Sequence, residues 1–156
     1  MPLEYLVFSL GFFVIHLVLY VAAGWFTLRF VSGDLYQGEG ALLTTFMRDG
    51  SDPRQQAGLM GRLLAAQAVR ALLMSVVLYP LLGPIGELPF ELRALFLGGL
   101  MLVYADLASA VPFPNTLEGL VYLQPRFVSR PVFLRISVEA VIYSVAFGIL
   151  AGWFLF

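Results

Sequence analysis

Four long apolar stretches dominate this sequence and restrict the folds that are open to it. They cover residues 3–30, 58–82, 92–111 and 131–156. Each is close to the ~20 residues that a helix needs to cross a ~30 Å hydrocarbon core. Only 12% of the residues are charged, whereas soluble domains carry about 25%. The pattern predicts an all-α integral membrane protein, a single domain built as a four-transmembrane-helix bundle.

The composition also excludes several classes of function. Cysteine is absent, which removes disulfides, thiolate metal sites and cysteine nucleophiles. The net charge of −1 provides no basic surface for a nucleic acid. No phosphate-binding glycine loop, catalytic triad or metalloprotease motif is present. We therefore expect a protein that is not an enzyme and that has the lipid bilayer, not nucleic acid, as its surroundings.

Arginine placement predicts the orientation, because cytoplasmic connections carry an excess of basic residues. The second connection holds a single arginine, Arg93. The first and third connections with their flanks hold Arg29, Arg48, Arg54, Arg62, Arg126, Arg130 and Arg135. Connections 31–57 and 112–130 should thus lie in the cytoplasm. Both termini should be non-cytoplasmic, in a bacterial inner membrane.

Short helices are expected in the two long connections. Apolar residues at helical spacing predict an amphipathic helix over about 40–49, lying at the membrane interface. Asn115 and Glu118 have the spacing of a capping box. They predict a second short helix over about 115–124.

Three charged residues fall at similar depth in different spans. Arg70, Asp106 and Glu139 each lie about 9–12 Å from the cytoplasmic end of their helix. Arg135 precedes Glu139 by one turn, and Tyr143 follows it by one turn. Charges inside lipid normally face the bundle interior, so these residues predict an intramembrane polar network around Arg70.

Two interpretations of this network remain open. In the first, Arg70 neutralises Asp106 and Glu139, and the network holds the helices in register. In the second, two carboxylates that share one arginine hold a proton with a shifted pKa, as in a proton or anion pathway.

His16 is the single histidine and lies near the middle of the first stretch. A neutral histidine in a bundle most often makes hydrogen bonds to its neighbours. The alternative is axial ligation of a chlorophyll magnesium or of a haem shared between two chains. Apart from that alternative, no cofactor and no metal site are expected.

Small residues recur every four positions in the fourth stretch. The series is Ala140, Ser144, Gly148 and Gly152. Small residues permit close helix approach where no hydrophobic drive exists between helices. The series indicates packing within the bundle or, alternatively, a dimer contact or a docking face for another subunit. Shorter series at the same spacing lie in the second stretch (Ala57, Gly61 and Ala65) and in the third (Ala94 and Gly98).

Three segments carry a resemblance to a known group of proteins. They are Gly61-Arg62 through Leu78-Tyr79-Pro80, Leu97-Gly98-Gly99 through Pro112, and Glu139-Ala140 through Gly148 and Gly152. With these segments the chain resembles uncharacterised bacterial four-span membrane proteins that are grouped as domains of unknown function. The resemblance implies a four-helix fold and no activity.

Taken together, these patterns favour a non-catalytic accessory or structural subunit that packs in a homo-oligomer or in a larger membrane complex. A small proton or anion channel or transporter that uses Arg70, Asp106 and Glu139 is the second hypothesis. A pigment- or haem-binding subunit with His16 as the ligand is the third.

Overall fold

The computed structural model describes residues 3–48 and 58–156, and within these ranges all regular secondary structure is helical. The helices are α1 (Leu3–Phe30), α2 (Gly33–Tyr36), α3 (Leu59–Leu78), α4 (Leu82–Gly86), α5 (Phe90–Leu102), α6 (Leu117–Tyr122) and α7 (Arg130–Phe154). Two 3₁₀ turns, Leu42–Thr45 and Tyr79–Leu81, and one π turn, Val103–Leu107, complete the set.

Three helical segments are long and apolar enough to cross a membrane. They are Leu3–Phe30, Leu59–Gly86 and Arg130–Phe154, with 28, 28 and 25 residues. The second segment joins α3, the 3₁₀ turn and α4 into one run. These three segments correspond to the first, second and fourth apolar stretches of the sequence.

The third apolar stretch, predicted to span over 92–111, forms a shorter helix. α5 has 13 residues, which corresponds to about 20 Å. The chain then changes to the π turn, and the last residue of that turn is Leu107. Pro112 and Pro114 follow closely, and proline cannot continue a helical hydrogen-bond ladder.

The long helices pack in the order α3, α1, α7, α5. α1 contacts α3 on one side and α7 on the other, and α5 packs along α7. Phe12 of α1 and Phe147 of α7 are completely buried, with ring centroids 5.0 Å apart. Leu97 and Met101 of α5 complete this part of the core.

The approach of α5 to α7 depends on glycine. A Cβ atom on Gly148 would lie 2.3 Å from the carbonyl oxygen of Ala94, and one on Gly98 would lie 2.8 Å from that of Ser144. Such distances are far below van der Waals contact, so larger residues would force the two backbones apart. Gly152 also faces Ala94, and Ala140 and Ser144 are buried. The small-residue series of α7 therefore includes the contact with α5 inside this chain.

The first and third connections pack into a cap at the end of the bundle where α1 ends and α7 begins. Leu43 is completely buried in it, among Leu35, Phe127, Val132 and Ile136. The predicted interfacial helix over 40–49 differs here, since the described part contains only the 3₁₀ turn Leu42–Thr45. Its apolar residue Leu43 faces protein instead of lipid. Residues 49–57, including Ala57, lie outside the described part of the chain.

The second predicted short helix is present as α6, with a different cap. Thr116, not Asn115, is the N-cap residue, and its hydroxyl accepts a hydrogen bond from the backbone N–H of Gly119 at 3.0 Å. Asn115 instead donates to Asp106. Threonine is also a favoured N-cap residue, and its use here leaves Asn115 free to bind the charged residue.

The opposite end of the bundle is closed by Arg93. Its guanidinium donates to the carbonyl oxygens of Gly152, Gly86 and Leu88 at 3.1, 3.1 and 2.8 Å. These are carbonyls at or after helix ends, where no helical N–H is available to them. Arg93 thus connects the end of α7 to the turn before α5.

Candidate functional site

His16 joins three helices at the centre of the bundle. It is 2% exposed. Its Nδ1 lies 2.5 Å from the hydroxyl of Tyr143 on α7, and its Nε2 lies 3.1 Å from Oε1 of Gln67 on α3. An amide oxygen only accepts, so the neutral imidazole carries its proton on Nε2 and accepts from Tyr143 at Nδ1. This three-residue group fixes α1 against both of its neighbours.

The surroundings of His16 do not fit a haem or chlorophyll ligand. Axial ligation needs a ring nitrogen with a free lone pair, and both nitrogens of His16 have hydrogen-bond partners. The rings of Phe12 and Tyr20 stack on either side, with centroids 6.4 and 6.2 Å from that of the imidazole. Among residues 3–48 and 58–156, no group of three metal-ligating side chains occurs.

The three charged residues of the predicted layer lie near each other without direct ion pairs. Arg70 donates to the backbone oxygen of Ala105 at 2.9 Å. Asp106 accepts from Asn115 at 2.6 Å, and Glu139 accepts from Thr27 at 3.0 Å. Arg70 acts electrostatically on Asp106, and Asp106 acts on Glu139. In the described residues the one ion pair is elsewhere, between Arg135 and Asp34.

One oxygen of each carboxylate in this layer remains open. Oδ1 of Asp106 and Oε2 of Glu139 make the hydrogen bonds just given. Within the described ranges, the buried side-chain nitrogen and oxygen atoms without a partner are Arg93 Nε and Ser144 Oγ. The second oxygens of Asp106 and Glu139 are therefore accessible from outside the protein. The side chain of Arg70 is also exposed.

Tyr36 of the cap lies near the charged layer. Burial raises the pKa of the Tyr36 phenol, and the nearby Glu139, Tyr20 and Asp106 raise that pKa further. A carboxylate opposes formation of a phenolate near it, so the charges of both acids act on Tyr36, which packs against the cap cluster around Leu43. We call the group formed by Arg70, Asp106, Glu139, Tyr20 and Tyr36 the polar recess.

Arg135, which the sequence assigned to the same network, lies outside the recess. Its guanidinium forms an ion pair with Asp34 of α2, and its Nε donates to the carbonyl oxygen of Val31 at 2.7 Å. The hydrogen bond from Arg135 holds the pKa of Asp34 below its ordinary value. Arg135 therefore joins the start of α7 to the α1–α2 connection, and it is not a second cation for Glu139.

A second polar cluster lies nearer the Arg93 end of the bundle. The hydroxyl of Ser9 is 2.7 Å from that of Tyr79, and Ser75 donates to Ser9 at 2.9 Å. A completely buried apolar layer of Phe12, Phe147 and Ala71 separates this cluster from His16. The polar interior is thus divided in two.

Sequence reasoning missed several members of these clusters. Thr27, Tyr36, Asn115 and the serines of the second cluster were not among the expected site residues. One signal was available, since Ser9 and His16 are seven residues apart and so share a face of α1. Nothing local marked Tyr36 or Asn115, because they reach the recess through the fold of the cap.

Comparison of the chain with family models, with curated proteins and with solved structures finds no match.

Proposed function

We propose that the protein is a non-catalytic membrane subunit that assembles with itself or within a larger membrane complex. In this proposal the membrane is a bacterial inner membrane. α5 and the π turn supply a short third crossing, which gives four spans. The arginine distribution then puts connections 31–57 and 112–130 in the cytoplasm and both termini on the other side.

A free small-residue face on α3 is the observation that supports assembly. Gly61 and Ala65 are exposed, and in the described part of the chain no atom outside the neighbouring turns of α3 lies within 4 Å of a Cβ built on Gly61. The equivalent spacing on α7, at Gly148 and Gly152, is in close contact with α5. Small residues at this spacing let helices approach closely. Because the face on α3 meets no helix within residues 3–48 and 58–156 of this chain, we propose that it meets a helix of another chain.

Site-specific photo-crosslinking tests this contact. A photoreactive amino acid at Val69, one turn after Ala65, samples the face on α3. The matched control is Val145 on α7, since the two side chains are 58% and 55% exposed. Irradiation of native membranes should give a discrete protein adduct from position 69 and none from position 145. Absence of an adduct from position 69, or the same adducts from both positions, would reject this face as the contact.

A proton or anion channel or transporter is the second proposal. The open oxygens of Asp106 and Glu139 favour it, because they leave titratable groups accessible inside the layer. The buried apolar layer of Phe12 and Phe147 blocks a polar path through the centre of a single chain. Ions would therefore have to cross along a path between chains. Liposomes with the wild-type protein should then show a flux that Asp106→Asn reduces. Wild-type liposomes no leakier than empty ones would eliminate this proposal.

A further inference from the structure

The polar recess combines both signs of charge. Arg70 lies at the outer edge, with an exposed side chain. Asp106 and Glu139 lie further inside and are partly buried. Arg70 acts electrostatically on Asp106, and Asp106 acts on Glu139. One cation and two carboxylates thus form a group of charges inside a helical bundle, where charged residues are costly unless paired.

The recess has unused hydrogen-bonding capacity of both kinds. A guanidinium has five N–H donors, and one of those of Arg70 is used by Ala105. Oδ2 of Asp106 and Oε1 of Glu139 are accessible acceptors without a partner among the described residues. A bound group could therefore receive hydrogen bonds at one end and donate them at the other.

The arrangement of the helices favours access to the polar recess from the side of the bundle. The cap lies at one end, where Tyr36 packs against its apolar cluster and Asn115 donates to Asp106. Between α3 and the π turn, the hydrogen bond from Arg70 to Ala105 is the one described side-chain link. Tyr104 in the π turn is 75% exposed beside it. π turns are rare and occur often at functional sites. A ligand would thus enter from the lipid side, between α3 and the π turn.

The charges select the chemical class of that ligand. An anion alone would meet two carboxylates, and a cation alone would leave Arg70 without a counter-charge. A zwitterion with a phosphate and a primary ammonium satisfies both ends, and the bilayer contains such groups as lipid headgroups. A carboxylate from a partner protein fits less well, because it would add a third acid.

We propose that the polar recess binds the headgroup of a zwitterionic aminophospholipid. Its phosphate accepts from Arg70, its ammonium donates to Asp106 and Glu139, and its acyl chains follow the apolar outer surface of α3. This inference goes beyond the proposed function and does not depend on association between chains.

Lipid retention measured by native mass spectrometry tests the proposal. The purified protein is equilibrated with an equimolar mixture of phosphatidylethanolamine and phosphatidylglycerol, and the bound lipid is counted. Wild type should retain phosphatidylethanolamine preferentially. Arg70→Met should lower that retention about tenfold, which corresponds to loss of one charge-assisted contact. Arg70→Lys, which keeps the charge, should retain more than Arg70→Met.

Two controls separate a built site from general lipid contact. Arg62→Met removes another exposed arginine of α3 and should leave retention unchanged. The double variant Asp106→Asn with Glu139→Gln should shift the preference toward phosphatidylglycerol, because the repulsion of an anionic headgroup is removed. Thermal unfolding of each variant verifies that it is folded. If Arg70→Met does not fold, Arg70→Gln takes its place, and if the double variant does not fold, Asp106→Asn alone takes its place.

Several outcomes would overturn the proposal. Equal retention of both lipids by wild type would do so, as would an equal loss in Arg62→Met and Arg70→Met. Soluble phosphoethanolamine, which lacks acyl chains, should not displace the lipid. Displacement by it would assign the recess to a soluble zwitterion instead. Because retention is counted per chain, these results are independent of whether the face on α3 associates.

Discussion

At the scale of single residues, hydrogen bonds between helices distinguish this interior from a purely apolar one. His16, Tyr143 and Gln67 come from three helices and satisfy one another. Loss of one member leaves a buried polar atom without a partner, and that penalty exceeds the net gain of the bond itself. The group therefore favours one relative rotation of α1, α3 and α7.

The variant Tyr143→Phe tests this role. It removes the donor to Nδ1 of His16 and should lower the free energy of unfolding by about 1–2 kcal/mol. Tyr104→Phe is the control, because Tyr104 is 75% exposed and its loss should have almost no effect. Thermal unfolding in detergent measures both. Equal stabilities for the two variants would show that the short contact to His16 adds nothing.

The ion pair between Arg135 and Asp34 leads to a pH prediction. The pKa of Asp34 is lowered in the folded protein, mainly by the hydrogen bond from Arg135. Its stabilisation is therefore present above the ordinary pKa of 3.8 and is lost as the pH falls through the lower, folded value. The side chain of Asp34 is 70% exposed, so Asp34→Asn should cost at most about 1 kcal/mol at neutral pH.

The same titration provides its own control. In acid below the folded pKa of Asp34, wild type and Asp34→Asn should become equally stable. Arg135→Met should cost more than Asp34→Asn at neutral pH, because it also removes the hydrogen bond to Val31. A stability difference between wild type and Asp34→Asn that persists unchanged into acid would contradict the pairing.

At the scale of helices, glycine decides which surfaces touch. The α5–α7 contact places Gly148 against the backbone of Ala94, so a side chain there has no space. Among the described residues, no atom beyond the neighbouring turns of the same helix lies within 4 Å of a Cβ built on Gly61 or Gly99. The same residue type thus has two different surroundings in one bundle, and substitution distinguishes them.

Leucine substitutions at these glycines give a matched series. Gly148→Leu should be strongly destabilising, by about 3 kcal/mol or more, because it overpacks a backbone contact. Gly61→Leu and Gly99→Leu should leave the unfolding temperature nearly unchanged. Of these two, only Gly61→Leu should abolish the adduct from position 69. An adduct that persists in Gly61→Leu would show that close approach at α3 is not required.

At the scale of the whole molecule, the two ends of the bundle are built differently. One end carries the cap with its own buried cluster around Leu43. At the other end, the guanidinium of Arg93 donates hydrogen bonds to three backbone carbonyl oxygens. Arg93 hydrogen-bonds the carbonyls at helix ends, so its charge has a structural role at that end of the bundle. The excess of arginine therefore lies at the end that carries the cap.

The proposed orientation rests on that excess, and reporter fusions test it. A reporter fused after Phe156 should report a non-cytoplasmic location, because the basic connections remain inside. A fusion within 112–130 serves as the paired control and should report the cytoplasm. Activity of a cytoplasmic reporter after Phe156 would reverse the proposed orientation.

The helical class of the fold could be predicted from the sequence because its physical cause is local. Transfer of a helix into lipid depends on the apolar residues of that segment alone, and three such segments are long enough in the structure. The short length of α5 was harder to predict from the sequence. It depends on the π turn, in which Ala105 and Asp106 find partners on α3 and in the cap.

The sequence by itself determined which residues are costly in a membrane: Arg70, Asp106, Glu139 and His16. Only the tertiary structure decided their partners. Tyr143 binds His16 instead of joining Glu139, and Arg135 binds Asp34. The physical reason is that hydropathy is a property of each segment, whereas a hydrogen bond between helices depends on the rotation and depth of both. Those are decided by packing across the whole bundle, including the glycine contact between α5 and α7.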